Sequence, residues 1–334
     1  MKKKLLLVVL AVLTLLVLAA CSPTPADNNT DNPDEQNIQE EAITPSVMAL
    51  KGPTGVAMAK MIDDNDANQK YQFSLVGSPD EIVSAISSGE ADIAAMPTNL
   101  AVKLYAKNEG DLQMISVIAD GSLYLLENGN TINSLADLEG KTIYATGQGS
   151  NPQYILEYLL KSAGLTPGEN VEVVYKTEHA ELATLMAAGD VDIAMLPEPN
   201  VSVVLSKNDQ VRVALDFNEE WNAVTGGNLT MSCVAATKTF IAEHPQAVAD
   251  FLADLQQSIT FALDDVEATA ALCAEHGIIE NEAVGAISIP KMGLTYVDGA
   301  DIEPAVSGYL TMLFEADPSS VGGAMPAEDF YYLK

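Results

Sequence analysis

Along the chain the spacing of apolar and polar positions changes period several times. Lys2, Lys3 and Lys4 precede an apolar run over residues 5–20 that only Thr14 interrupts. No later apolar run approaches the 18 or more residues that a second membrane span would need. A polar stretch without periodicity reaches to about residue 45, and from residue 46 short β-type runs alternate with segments of helical spacing. Residues 47–50, 71–76 and 92–96 read as strands. Residues 56–62 read as the start of a helix, and 98–107 as a whole one. Between the last two strands, Ser78-Pro79-Asp80-Glu81 is a capping box with proline at the first helical position, so a helix opens there and ends at Gly89. Strand alternating with helix predicts parallel βαβ units.

An internal repeat extends this pattern. Residues 78–99 align without gaps with residues 178–199, sharing Glu81/Glu181, Gly89/Gly189, Asp92/Asp192, Ile93/Ile193, Ala94/Ala194 and Pro97/Pro197. In both copies a helix ends on glycine, a strand begins at aspartate and proline closes it. One repeat of this spacing is too long for a solenoid and implies two similar α/β lobes. In the second copy's neighbourhood, Ser134 to Asp137 forms another capping box. Residues 141–146, 171–175 and 211–215 read as strands, and Gly147 to Pro152 is a loop feeding a helix over 153–162. After the break at Gly226-Gly227-Asn228 comes one more strand, 231–236, and then a mostly helical stretch over 238–313 in which Pro245 opens a long helix. A lone strand followed by helices completes a domain already begun. The expected division is therefore residues 46–120 and 225–334 for lobe one and residues 121–224 for lobe two, with crossovers near 119–123 and 223–229. The fold class is α/β, each lobe a mostly parallel sheet flanked by helices.

Composition narrows the partners. The 334 residues are 48% hydrophobic and 19% charged, too apolar for disorder and long enough for more than one core. Sixteen Lys+Arg against 47 Asp+Glu give a net charge of −31, which excludes nucleic acid and an anionic membrane surface as partners. The three lysines and the apolar run are the n- and h-regions of a signal peptide, residues 1–20. Leu18-Ala19-Ala20-Cys21 resembles the lipobox of bacterial lipoproteins. That resemblance implies that Cys21 takes a diacylglycerol thioether, becomes the mature N-terminus and anchors the protein to the outer face of the cytoplasmic membrane. Residues 22–45, rich in Pro, Asn, Asp, Glu and Thr, bury too little to fold, so 21–45 reads as the lipidated cysteine and a disordered acidic tether. Cys233 and Cys273 remain. Nothing in their spacing demands a bridge, and two buried free thiols are the first expectation, with a disulfide left open.

From residue 47 to about 317 the chain resembles the type II solute-binding proteins of ABC importers, within the nitrate/sulfonate/taurine and pyrimidine-precursor group. The resemblance rests on Gly89-Glu-Ala-Asp-Ile-Ala94, Ser134-Leu-Ala-Asp-Leu-Glu-Gly-Lys141 and Gly189-Asp-Val-Asp-Ile-Ala194. It implies two lobes joined by two hinge crossovers, with a small organic solute captured in the cleft between them and delivered to a permease and its ATPase. It also implies a monomer that needs no cofactor, metal or catalytic residue. Elementary physics places the site in the same region, since ligands of open α/β sheets bind beyond the carboxyl ends of the strands, where helix N-termini present free N–H groups. Two such loops belong to lobe one, Lys51-Gly52-Pro53-Thr54-Gly55 and Pro97-Thr98-Asn99, and two to lobe two, Gly147-Gln148-Gly149-Ser150-Asn151 and Pro197-Glu198-Pro199. The candidate ligand-binding residues are Lys51, Pro53, Thr54, Gly55, Thr98, Asn99, Gln148, Gly149, Ser150, Asn151 and Glu198.

The solute class follows from the charged groups. Arg212, the single arginine, lies in an alternating strand and is expected on a solvent face, which argues against an arginine clamp on an anion. Helix N-termini and Lys51 would have to bind an anion. Glu198 would accept from an amine, and Tyr144, Tyr154 or Trp221 could stack on a ring. The balance favours a neutral or heteroaromatic solute over a strong anion. Enzymes resembling pyrimidine-precursor synthases and menaquinone-pathway dehydratases share the fold and form the alternative reading. Its residues are missing: there is no Ser-His-Asp spacing, Walker loop or HExxH. His179 opens a helix beside Glu178 and Glu181, where carboxylates are ordinary, and His244 and His276 mark helix boundaries.

Overall fold

The computed structural model describes residues 43–334; the signal sequence, Cys21 and nearly all of the tether lie outside the described residues. The strands are β1 (Ser46–Leu50), β2 (Gln72–Val76), β3 (Ile93–Pro97), β4 (Gln113–Ala119), β5 (Leu123–Asn128), β6 (Thr142–Ala145), β7 (Glu172–Tyr175), β8 (Ile193–Pro197), β9 (Val211–Asp216), β10 (Ser232–Ala236) and β11 (Leu294–Asp298). They form two sheets, ordered β11-β4-β10-β3-β1-β2 and β7-β6-β8-β5-β9. In each sheet the strand that crosses over from the other runs antiparallel to both its neighbours: β10 against β3 and β4, and β5 against β8 and β9. The β1, β2 and β3 strands, and β6, β7 and β8, pair in parallel, as the βαβ pattern requires.

The helices are α1 (Pro53–Ala57), α2 (Ala59–Asn68), α3 (Pro79–Ser88), α4 (Thr98–Lys107), α5 (Asn151–Ser162), α6 (His179–Ala188), α7 (Asn200–Lys207), α8 (Phe217–Thr225), α9 (Lys238–Glu243), α10 (Pro245–Asp264), α11 (Val266–Glu275), α12 (Glu282–Ser288) and α13 (Ile302–Ala316). The capping box at Ser78 is formed: Asp80 N–H donates to Ser78 Oγ, and Ser78 N–H to Glu81 Oε1, both at 3.2 Å. In the two repeat copies α3 and α6 end on glycines in the left-handed region, Gly89 at φ 75° and Gly189 at φ 77°. The second capping box, at Ser134, opens only a short 3-10 turn, Leu135–Leu138, before β6 takes over.

Three strands depart from the sequence reading: β4 and β5, on either side of the crossover expected near 119–123, and β11. β11 interrupts the stretch expected to be helical and pairs antiparallel with β4 at the edge of the first sheet. Five residues with a β-branched and aromatic core, Leu-Thr-Tyr-Val-Asp, are too short a period to stand out between helices. The core is built from both faces of the sheets, with Trp221, Phe251, Tyr309 and Phe330 among its largest fully buried side chains. Cys233 and Cys273 are both buried and unpaired, and they lie in different clusters of that core.

Candidate functional site

Four strands of the two sheets, β1, β3, β6 and β8, end where the helices α1, α4, α5 and α7 begin. At Gly52, Pro97 and Ser150, the residues preceding α1, α4 and α5, no side chain caps the helix. By contrast α3, α8, α9, α11 and α12 are capped by Ser78, Asp216, Thr237, Asp265 and Asn281. An uncapped first turn leaves the positive end of the helix dipole and its remaining N–H groups for another acceptor; Thr98 N–H already donates to the carbonyl of Met231 at 2.9 Å, Gln153 N–H to that of Ser150 at 3.0 Å, and Pro152 has no N–H. Two of these helix starts come from opposite sheets and meet: Asn151 Nδ2 donates to Asn99 Oδ1 at 2.8 Å, and Asn99 Nδ2 donates onward to the carbonyl of Ser320 at 3.2 Å.

The loop before α5 is shaped by glycine. Gly147 is at φ 77°, and a Cβ there would lie 2.8 Å from Pro152 Cγ, so a side chain would displace the first turn of α5. Ser150 Oγ donates to the carbonyl of Gly147 at 2.7 Å, and Gly149 N–H donates to Gln153 Oε1 at 2.7 Å. Gln148 is exposed, with its amide free of protein partners among the described residues. In the loop after β1, Lys51 is exposed, while Pro53 opens α1. Thr54 is buried and donates to the carbonyl of Leu50 at 2.6 Å. Gly55 packs so closely that an added Cβ would come within 2.9 Å of Ile278 Cγ2. The hydroxyl of Thr98, fully buried at the start of α4, has no nitrogen or oxygen partner among the described residues and faces the Cys233 thiol.

Glu198 is placed differently from the free carboxylate expected. It is buried, and both oxygens are engaged by one residue: Ser202 N–H donates to Oε2 at 3.1 Å and Ser202 Oγ to Oε1 at 2.9 Å. Burial raises its pKa against the opposing pull of those hydrogen bonds and of Lys291. Glu198 therefore caps α7 instead of standing ready for an amine. Trp221 is likewise unavailable for stacking, because it is buried between Tyr158 and Tyr309. Tyr154 keeps one face towards solvent and donates its hydroxyl to Asp317 Oδ2 at 2.9 Å, and Tyr144 packs half-buried in the core of the second sheet.

Arg212 is half-exposed, not wholly on a solvent face. Its Nη2 donates to Glu127 Oε2 at 2.8 Å and to the carbonyl of Ile132, and its Nε to the carbonyl of Gly129 at 3.3 Å. Glu127 pairs in register with Ile193, the first residue of β8, so the ion pair lies at the strand ends remote from the helix starts. Burial alone would raise the Glu127 pKa, but hydrogen bonds from Thr131, Ile132 and Arg212 together hold it below the usual carboxylate value.

Two residues beside the crossovers escaped sequence reasoning. Tyr124, at the start of β5, donates its hydroxyl to the carbonyl of Lys291 at 2.7 Å, joining the two halves of the molecule. Asp120 accepts from Asn228 Nδ2 at 2.8 Å, which ties one crossover to the other, and burial raises its pKa. Their position next to the predicted crossovers was the available signal. His179 faces Thr146, Nδ1 to Oγ1 at 2.6 Å, and burial lowers its pKa. Among the described residues no group of His, Cys, Asp and Glu could hold a metal ion. A cavity of about 760 Å³ lies away from the helix starts, at the amino ends of β1 and β3, where Asp92, Asp111, Phe240 and His244 line it.

With this geometry in view, residues 57–280 match the model of the family described as ABC transporter, phosphonate, periplasmic substrate-binding protein. The chain belongs to that family. Among solved structures it is similar to an ABC transporter protein from Parabacteroides distasonis, at 26% identity, covering 87% of this chain and 99% of that one with a TM-score of 0.74. It is similar in fold to the periplasmic aliphatic sulphonate binding protein SsuA from Escherichia coli, at 20% identity, 86% and 92% coverage and a TM-score of 0.68. The alkanesulfonate-binding protein SsuA from Xanthomonas axonopodis pv. citri, bound to MOPS, matches at 15% identity, 84% and 94% coverage and a TM-score of 0.60. A curated relative, the putative binding protein YtlA of Bacillus subtilis, is 20% identical over 175 residues, which is 52% of this chain and 51% of that protein. The match thus spans about half the length of the curated relative. The two-lobed type II binding-protein fold and membership among ABC-importer binding proteins agree with the resemblance read from the sequence. The family and the two SsuA proteins are named as substrate-binding proteins, so the enzyme reading gains no support from them.

Proposed function

We propose that this protein is the extracytoplasmic substrate-binding lipoprotein of an ABC importer, and that it carries a small organic solute bearing a tetrahedral oxyanion, a phosphonate or a sulfonate. The observation that carries this reading is the meeting of two uncapped helix starts from opposite sheets at the Asn99–Asn151 hydrogen bond. Backbone N–H groups and helix dipoles bind such oxyanions without an arginine, which matters because Arg212 is engaged elsewhere. The names of the family and of its sulfonate-binding relatives support the same solute class.

In this reading residues 46–120 and 225–334 make lobe one, residues 121–224 make lobe two, and the solute lies between them against Lys51, Asn99, Gln148, Ser150 and Asn151. Lobe closure is the signal to the permease and its ATPase, since the solute stabilises the closed form through contacts with both lobes at once. The protein performs no chemistry. It acts as a monomer held to the membrane by the lipid on Cys21, and residues 21–45 give it reach. The test is thermal unfolding with an alkylphosphonate, an alkanesulfonate and a neutral pyrimidine in turn. A ligand at a thousand times its Kd adds about 4 kcal/mol and raises Tm clearly. Asn99→Ala and Gln148→Ala should each weaken the effective compound roughly tenfold while leaving the ligand-free Tm within a few degrees. Stabilisation by the pyrimidine alone would replace the oxyanion with a neutral solute. Unchanged affinity in the two variants would remove the site from these helix starts.

A further inference from the structure

A groove of about 470 Å³ runs between α5 and α13, walled by Tyr154, Glu157, Tyr158 and Lys161 on one side and by Met312 and Glu315 on the other. That volume suits a small ring-bearing molecule. Its aromatic wall is held rigidly from behind: Tyr158 packs on Trp221 with ring centroids 5.0 Å apart, and Trp221 meets Tyr309 of α13 edge-on at 6.3 Å. Carboxylates stand on both helices, Glu157 on α5 and Glu315 on α13. Asp317, just beyond, accepts the Tyr154 hydroxyl at 2.9 Å. Lys161 is the cation on the walls, and among the described residues no ion pair joins it to either glutamate. Gln153 Nε2 donates to Glu157 Oε1 at 2.7 Å, which orients that carboxylate without neutralising it.

With Glu157 and Glu315 against the one Lys161 the walls carry a net negative charge, and tyrosine faces beside it attract organic cations through the ring quadrupole and by direct charge. The net charge of −31 reinforces the preference. We propose that the α5–α13 groove, which adjoins the start of α5 through Tyr154 but does not include the Asn99–Asn151 contact, is a second binding site for a ring-bearing organic cation whose charge is met by Glu157 and Glu315 and whose ring packs on Tyr154, Tyr158 and Met312.

Trp221 is the only tryptophan of the chain and backs Tyr158, so it reports on the groove. The experiment titrates the intact chain with benzyltrimethylammonium chloride and follows tryptophan emission. A saturable change is expected, and Glu157→Gln with Glu315→Gln should raise its midpoint roughly tenfold. Glu315→Gln alone, at an exposed position, should raise it about threefold and serves if the double variant fails to fold. Benzyl alcohol and sodium benzoate should leave the emission unchanged, and saturating alkylphosphonate should not compete. No saturable change overturns the proposal. So does an equal response to the uncharged or anionic ring, or a midpoint that neither glutamine variant moves. Competition by the phosphonate would merge the groove with the first site, whereas failure of the phosphonate to bind at all leaves this titration to be read on its own.

Discussion

Strand alternation predicts a solvent-facing Arg212, but its partner Glu127 lies 85 positions away on β5, beyond the reach of local spacing. Replacing the guanidinium by Arg212→Met leaves a buried carboxylate without its counter-charge and should cost about 3 kcal/mol in denaturant unfolding. Solute affinity should stay within about twofold, since the pair lies at the far strand ends. The folded-state pKa of Glu127 is lowered, so its contribution is present above the usual carboxylate range and is lost as pH falls through the folded value. Glu198 carries the opposite sign. Its raised pKa means that the contribution is full below the ordinary value and is lost as pH rises through the folded one, where the charge must be buried. Glu198→Gln keeps an acceptor for Ser202 N–H and removes that charge. It should therefore gain about 1 kcal/mol at neutral pH and nothing in acid, scanned from about pH 4 to pH 7, with solute binding unchanged. Loss of binding in this variant would return Glu198 to the ligand set.

Among the elements, the repeat was the most legible feature, for a local reason. A helix that ends on a left-handed residue needs glycine whatever surrounds it, and Gly89 and Gly189 hold φ 75° and 77° in matching places. Alanine at Gly89 meets nothing within 4 Å, and at Gly189 only Asn128 Nδ2 at 3.5 Å, so both substitutions isolate the backbone term. Gly89→Ala and Gly189→Ala should each cost about 1 kcal/mol, equal within a few tenths, by urea unfolding. A large inequality would mean that the two copies do different structural work. Capping boxes were legible on the same grounds, although Ser134 shows the limit: the cap forms, and the segment behind it is too short to be more than one turn. β11 was hidden because its pairing partner β4 lies about 180 positions earlier, and five residues carry no period of their own.

For the molecule as a whole, the free thiols give a clean check. Burial pushes both Cys233 and Cys273 up to about 12, and they lie in separate parts of the core. A reductant should leave Tm unchanged, and a thiol reagent should modify the two residues only as the chain unfolds. Fast labelling in the folded state would show that one of them reaches solvent. Mass spectrometry of the labelled peptides distinguishes the two. Transport-level behaviour belongs to this scale too: under the proposed function a solute held at Asn99 and Asn151 would link the two sheets, and its addition should make the whole chain more compact in solution scattering.

The repeat, most of the alternating strands and helices, the glycine stops and the caps follow from the sequence alone, since each depends on neighbours within one turn or one strand, whereas β4, β5 and β11 do not. Which candidate side chains remain free for a ligand was decided only by the tertiary structure. Thr54, Glu198 and Trp221 have suitable chemistry, yet Leu50, Ser202, and Tyr158 with Tyr309 already occupy them. Asn99 and Asn151, 52 positions apart, become a pair only when the sheets come together. A polar group buried by folding must find a partner, and that partner is chosen by packing across the chain, which local spacing does not encode.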